Sequence, residues 1–90
     1  MDRQQITIEI LEKNGFVFQA DGMYRWFRGD EDSYYTGYES VHIDLRDGYM
    51  NVTKEYEDGK QKELRGLTFS YVDELQSALT LCGIDKTIQV

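Results

Sequence analysis

His42 is the only histidine in the chain, and Asp44 follows it at the two-residue spacing that places both on one face of a strand. A histidine beside a carboxylate and a hydroxyl is the kit of a general base with a nucleophile, and the hairpin register expected below sets Thr53 across from His42. His-x-Asp on a strand has no specificity as a motif, however. Thr53 has nothing to activate it, and a flat sheet face offers no pocket. The expectation is a cross-strand polar pair on the surface, with no catalytic residue assigned. Asp30, Glu31 and Asp32 suggest a cation loop, but a calcium site needs oxygens spaced to wrap the ion and a closing bidentate Glu. Three consecutive acids before Ser33 do not supply that, so a solvated loop is expected. Cys82 falls in a helical seam with no basic neighbour in sequence and reads as a small core residue. Zinc would need more Cys and His than the chain holds, and no glycines form a phosphate-cradling pattern. No metal and no cofactor are expected.

The aromatic residues carry the sharper expectation. Tyr24 and Trp26 fall on the strand face opposite the expected core, and Tyr49 takes the corresponding position in the next hairpin. Tyr34, Tyr35 and Tyr38 fill the segment between. One reading is that strands favour aromatic residues and that these rings merely cover the sheet. The other is a partner-binding surface of Tyr24, Trp26, Tyr34, Tyr35, Tyr38 and Tyr49 rimmed by acids, since Tyr and Trp dominate binding hot spots.

The totals narrow the classes. Ninety residues make a single domain, 1–90, whose core is small because so short a chain buries only roughly 60–65% of its unfolded surface. Seventeen acids against ten bases leave a net charge of −7, which disfavours binding along a phosphate backbone or on anionic lipid and leaves a basic partner open. One cysteine forms no internal disulfide. Without a leader pattern or a run near the ~20 apolar residues of a membrane span, a cytoplasmic location is expected.

Three Asp-Gly pairs, at Asp21-Gly22, Asp47-Gly48 and Asp58-Gly59, lie between β-prone runs and predict hairpins. A two-residue turn at the first pairs Ala20 with Met23, Phe18 with Arg25 and Phe16 with Phe27, leaving Val17, Gln19, Tyr24 and Trp26 on the other face. A two-residue turn at the second pairs Leu45 with Met50, Ile43 with Val52 and Val41 with Lys54, with His42 opposite Thr53 outside. At the third, burial selects a three-residue loop, 57–59, because that sets Leu64 opposite Val52.

Helices flank the strands. Residues 2–14 read as a helix with Asp2 as N-cap and Ile6, Ile10 and Leu11 on one stripe; the alternation of Ile6, Ile8 and Ile10 is the rival strand reading. Asn14-Gly15 predicts a left-handed ending in which Phe16 returns to Leu11. A second helix is predicted over about 71–82, opened by a Ser70-x-x-Asp73 capping box and closed by Gly83, with Ile84 returning to Leu79. The tail 85–90 frays unless Ile88 or Val90 tucks into the core. The fold class is therefore α+β: helix, antiparallel four- to five-stranded meander, helix, with both helices on the one apolar face.

The segment Leu67-Thr-Phe-Ser-Tyr-Val-Asp-Glu-Leu-Gln-Ser-Ala-Leu-Thr-Leu-Cys-Gly-Ile resembles the closing motif of many small uncharacterised proteins of gut bacteria and their phages and mobile elements. There a strand ends in a Tyr-Val-His-Gln-Leu-Gln helix start and the helix finishes with a Gly. Tyr71, Val72, Leu75 and Gln76 match, while Asp73 and Glu74 stand where the motif has His and Gln. Leu11-Glu-Lys-Asn-Gly-Phe16 is similar to the Leu-Leu-Glu-Lys-Phe-Gly-Phe found earlier in that group. The likeness covers about a quarter of the chain. It implies an accessory, mobile-element-type protein and brings no catalytic residues. The expected function is a non-enzymatic module that binds another protein, or a copy of itself, with no direct nucleic-acid or membrane binding. The alternative is an acidic inhibitor that imitates nucleic-acid charge.

Overall fold

The computed structural model describes residues 3–29, 37–56 and 60–90. Its elements are α1 (Ile8–Lys13), β1 (Val17–Ala20), β2 (Met23–Gly29), β3 (Tyr38–Asp44), β4 (Tyr49–Glu55), β5 (Gln61–Thr68) and α2 (Val72–Leu81). The five strands form one antiparallel sheet in meander order, β1-β2-β3-β4-β5. Buried residues of both helices (Ile10 and Leu11, then Leu75, Ala78 and Leu79) share one cluster with Val41, Ile43, Met50 and Val52. Both helices thus cover a single face, as expected. Among the described residues, no helix is long and apolar enough to cross a membrane.

The first helix is half its expected length. Its cap is Thr7, whose Oγ1 accepts the Ile10 N–H at 3.2 Å. Residues before it run extended: the Ile6 N–H donates to the Ser70 carbonyl at 3.2 Å, and the Val72 N–H donates to the Gln4 carbonyl at 2.8 Å. The helical and the alternating readings of 2–14 each described one part of that stretch, and the expected cap, Asp2, lies outside the described residues. Both helices end as their glycines predict. The Phe16 N–H donates to the Leu11 carbonyl and the Ile84 N–H to the Leu79 carbonyl, each at 2.9 Å. The second helix is capped at Tyr71, not Ser70. The Glu74 carboxylate accepts the N–H groups of Ser70 and Tyr71 at 2.9 and 3.0 Å, while Asp73 turns to Arg3.

The hairpin registers depart from expectation in two informative ways. Around Asp47-Gly48 the loop takes four residues, so Ile43 pairs with Met50 and Val41 with Val52. The cause is Asp44: its Oδ1 accepts the N–H groups of Arg46 and Asp47, both at 2.9 Å, and its carbonyl accepts that of Gly48 at 2.9 Å. This slip is even-numbered, so the apolar face survives it. His42 now stands opposite Asn51, and Thr53 opposite Ser40. At the third hairpin Val52 does pair with Leu64, and the Tyr56 N–H closes on the Lys60 carbonyl at 2.8 Å; the loop residues 57–59 lie outside the described residues.

The first hairpin slips by one. Ala20 pairs with Met23 as its turn dictates, but Phe18 then pairs with Tyr24 and Val17 with Arg25. Gln19 is an extra residue on β1, a bulge, and past it the side chains of β2 change faces relative to those of β1. Tyr24 and Trp26 therefore point to the helices, with 6% and 8% of their surface exposed, and Arg25 and Phe27 point away. This corrects the expectation that Tyr24 and Trp26 look outward. Trp26→Ala should lower the unfolding free energy by about 3–5 kcal/mol. Phe27→Ala should cost about 1 kcal/mol. Urea unfolding with the reverse order would overturn this assignment of faces.

Candidate functional site

The helix-free face of the sheet is the surface on which binding or chemistry was expected. Alternation puts Arg25 and Phe27 of β2, Tyr38, Ser40 and His42 of β3, and Tyr49, Asn51 and Thr53 of β4 on it. Phe27 and Tyr38 stack, with ring centroids 5.6 Å apart and planes 21° from parallel. The Arg25 guanidinium lies over the Phe27 ring at 4.7 Å, and its Nε donates to Ser40 Oγ at 3.4 Å. An aromatic pair capped by a cation is thus built across β2 and β3.

Of the six residues expected to form a binding surface, the structure brings few together. Tyr24 and Trp26 are in the core, and Tyr34 and Tyr35 lie outside the described residues. Tyr38 and Tyr49 share the helix-free face but at opposite ends of the β3–β4 hairpin, since Tyr38 pairs with Glu55 and Tyr49 with Asp44. Six residues of strand separate those ends, about 20 Å. What remains of the aromatic surface is Tyr38 with Phe27, a residue expected in the core.

The edge beside this face was missed. Among the described residues β1 has a neighbour only on its β2 side, and Val17 and Phe18 are 61% and 60% exposed. Phe18 keeps an edge-on contact with the Tyr24 ring at 5.8 Å. The signal was present in the sequence. A meander makes its first and last strands edges. Here the last carries Lys62, Glu63 and Arg65, whereas 17–20 carry no charge.

The chemistry first considered does not assemble. His42 is exposed, paired across β2 with Arg25 and across β4 with Asn51, and the Asp44 carboxylate is committed to its turn. Partial desolvation on the sheet, and then the Arg25 charge, push the His42 pKa below its ordinary value. Cys82 is buried with Sγ 3.8 Å from the Val52 carbonyl, and burial raises its thiol, so it is a poor nucleophile. A shallow hollow of about 320 Å³ between β4, β5 and α2 is lined by Met50, Leu67, Asp73, Ala78 and Leu81. Its acid, Asp73, is clasped by Arg3 at 2.9 and 3.1 Å, a hydrogen-bonded pairing that lowers the carboxyl's affinity for a proton. Among the described residues no three His, Cys, Asp or Glu side chains are grouped to hold a metal ion. Compared with protein-family models, curated proteins and solved structures, the chain matches none.

A histidine whose folded pKa is depressed binds its proton more readily when the chain is unfolded, so acid favours unfolding. Stability should therefore fall as pH drops below about 6.5, the ordinary histidine value, towards the folded pKa. The His42 ring should titrate below that value by NMR, and His42→Gln should flatten this limb of the stability curve. A midpoint above the ordinary value contradicts the assignment.

Proposed function

We propose that the chain is a non-enzymatic interaction module that joins strand to strand along the open edge of β1, with a second copy as its partner. The observation carrying this reading is the contrast between the sheet's two edges. β5 bears Lys62, Glu63 and Arg65 and is interrupted by a bulge near Gly66, whose N–H donates to Asn51 Oδ1 at 2.7 Å. Charges and bulges are the devices that stop strand addition. β1 has its bulge at Gln19, yet it is uncharged and presents two large apolar side chains to water. Two such edges related by a two-fold axis would lay Val-Phe-Gln-Ala against itself with no like charges opposed. The Arg25–Phe27–Tyr38 stack stands beside that edge and would extend the contact onto the helix-free face.

The acidic-mimic reading has less support. Such an inhibitor needs a stripe of uncompensated acids. Here Asp21 pairs with Arg46, Asp73 with Arg3, Glu63 with Arg65, and Glu39 with both Arg28 and Lys54. An enzyme would need a cleft with a shifted acid or base, and among the described residues the helix-free face offers only the exposed His42. The resemblance of 67–84 to proteins of mobile elements is in keeping with an accessory role.

Salt separates the two readings. Each copy carries a charge of −7, so self-association must overcome repulsion that salt screens. Sedimentation equilibrium of the full chain should show a dimer that tightens as salt rises to about 0.5 M, where screening extends only a few ångströms. Val17→Lys and Phe18→Lys should each give a folded monomer. A monomer at every salt and protein concentration, or a dimer indifferent to both substitutions, would overturn the proposal.

A further inference from the structure

The C-terminal segment is held in an unusual way on the opposite side of the molecule. Residues 84–90 belong to no helix or strand. The Gln76 side chain on α2 grips two of them: its Nε2 donates to the Lys86 carbonyl and its Oε1 accepts the Ile88 N–H, each at 2.9 Å. Asn14, at the C-cap of α1, does the same for the next residue, accepting the Gln89 N–H and donating to the Gln89 carbonyl, each at 2.8 Å. Lys13 Nζ donates to the Val90 carbonyl at 2.8 Å, and Arg28 Nη1 to the Asp85 carbonyl at 3.4 Å. All of these bonds end on main-chain atoms of the tail. Among the described residues, two tail side chains past Ile84 are engaged: Ile88 is buried in the core cluster, and the Lys86 ammonium lies 4.8 Å from the centre of the Trp26 ring.

Two primary amides that each pair with a donor and an acceptor of a segment outside helix and strand are a means of reading main chain without reading sequence. One apolar socket and one aromatic face add a short pattern, Lys-x-Ile. Nothing else in the tail is read. Lifting it breaks no strand ladder and no helix, and Ile84, fixed by the ending of α2, marks where it would pivot. A depression of about 340 Å³ runs alongside, lined by Gln76, Thr80, Asp85, Lys86 and Thr87.

We infer that the seat formed by Asn14, Gln76, the Ile88 socket and Trp26 is a binding site for an extended peptide of Lys-x-Ile pattern, occupied in the resting protein by the chain's own residues 85–90. This site is independent of the β1 edge. A peptide arriving from outside must displace the tail, and its apparent affinity is reduced by the fraction of molecules in which the seat is closed. Binding is therefore gated by local opening of the tail.

The probe is a fluorescein-labelled synthetic peptide of residues 84–90, Ile-Asp-Lys-Thr-Ile-Gln-Val, read by anisotropy against the full-length protein. Ile88→Ser, which empties the socket while keeping the whole chain, should bind it at least about tenfold more tightly than the unaltered protein does. Adding Gln76→Ala to that variant should weaken binding by about tenfold, the effect of removing two main-chain bonds. A peptide with Asp in place of its second Ile should not bind. Hydrogen exchange on the unaltered protein gives a second readout should Ile88→Ser fail to fold. The Ile88 and Gln89 amides should exchange about tenfold or more faster than those of Val41, Ile43 and Val52, by local rather than global opening. Equal affinity for both proteins, no binding to folded Ile88→Ser, or tail amides exchanging with the core strands would each overturn the inference.

Discussion

The parity of strand pairing governs this molecule, because a chain of this size has apolar residues enough for one covered sheet face and no more. In a pleated sheet a one-residue slip exchanges the faces of everything beyond it, whereas a two-residue slip exchanges nothing. The bulge at Gln19 is the odd step. It lets Phe16 and Phe18 keep their side while Tyr24 and Trp26 swing in to join Val41, Ile43, Met50 and Val52. Without it the covered face would receive Arg25 and Phe27 and lose the largest ring in the protein. Gly15 belongs to the same arrangement. It takes the left-handed conformation that ends α1, and a Cβ there would lie 3.5 Å from Trp26 Cδ1, so the helix ending and the indole are seated against each other.

Trp26 also fixes where the helices stop being the cover. Beyond it on the same face lie Arg28, Glu39 and Lys54, at the end of the sheet where β2 finishes and β3 begins. Glu39 is buried and accepts from both cations, Arg28 Nη2 and Lys54 Nζ, the latter at 3.1 Å. A buried carboxylate of this kind adds little net stability, since desolvation offsets much of the attraction, but it holds its partners in one geometry. Arg28 is held so that it also reaches the Asp85 carbonyl and lies 5.4 Å from the Trp26 ring, and Lys54 so that it reaches the Gly83 carbonyl at 2.8 Å. Both cations act on main-chain oxygens where the chain leaves α2. The long side chains thus do at this end what the helices do elsewhere, covering apolar surface with their stems and keeping charge at the rim.

Which parts of this were legible in the residues follows from the range over which each is decided. Helix endings are local: Gly15 with Phe16 and Leu11, and Gly83 with Ile84 and Leu79, sit within six residues, and each closed as read. The faces of the second hairpin survived an imperfect turn reading because the Asp44 loop shifted register by two, and the third paired Val52 with Leu64 as read. The first hairpin had no such protection. No residue in Val17-Phe-Gln-Ala20 marks a bulge; it is imposed from a distance by the gain in burying Trp26 under helices, and the aromatic surface drawn from the wrong parity went with it. The tail's seat was out of reach for the same reason. Asn14 reads locally as a helix stop, and only the folded chain shows its side chain bonded to Gln89, 75 positions away.

The two sides of the sheet differ in how side chains meet the main chain there. Among the described residues β1 has no strand along its outer edge, Gln19 Nε2 donates to the Val17 and Phe18 carbonyls at 3.2 and 3.3 Å, and Arg25 lies over the Phe27 ring on the helix-free side. On the helix side the main chain of the tail is met by side chains of α1 and its cap, of α2, and by Arg28 of β2. A chain with seven excess negative charges would be expected to repel carbonyl oxygens and acidic segments alike. Yet Lys13 and Arg28 donate to tail carbonyls, and Lys54 to the Gly83 carbonyl just before them, so positive charge is concentrated where backbone oxygens converge. The acidic surplus repels like copies at low salt, while those cations help to hold the tail in place.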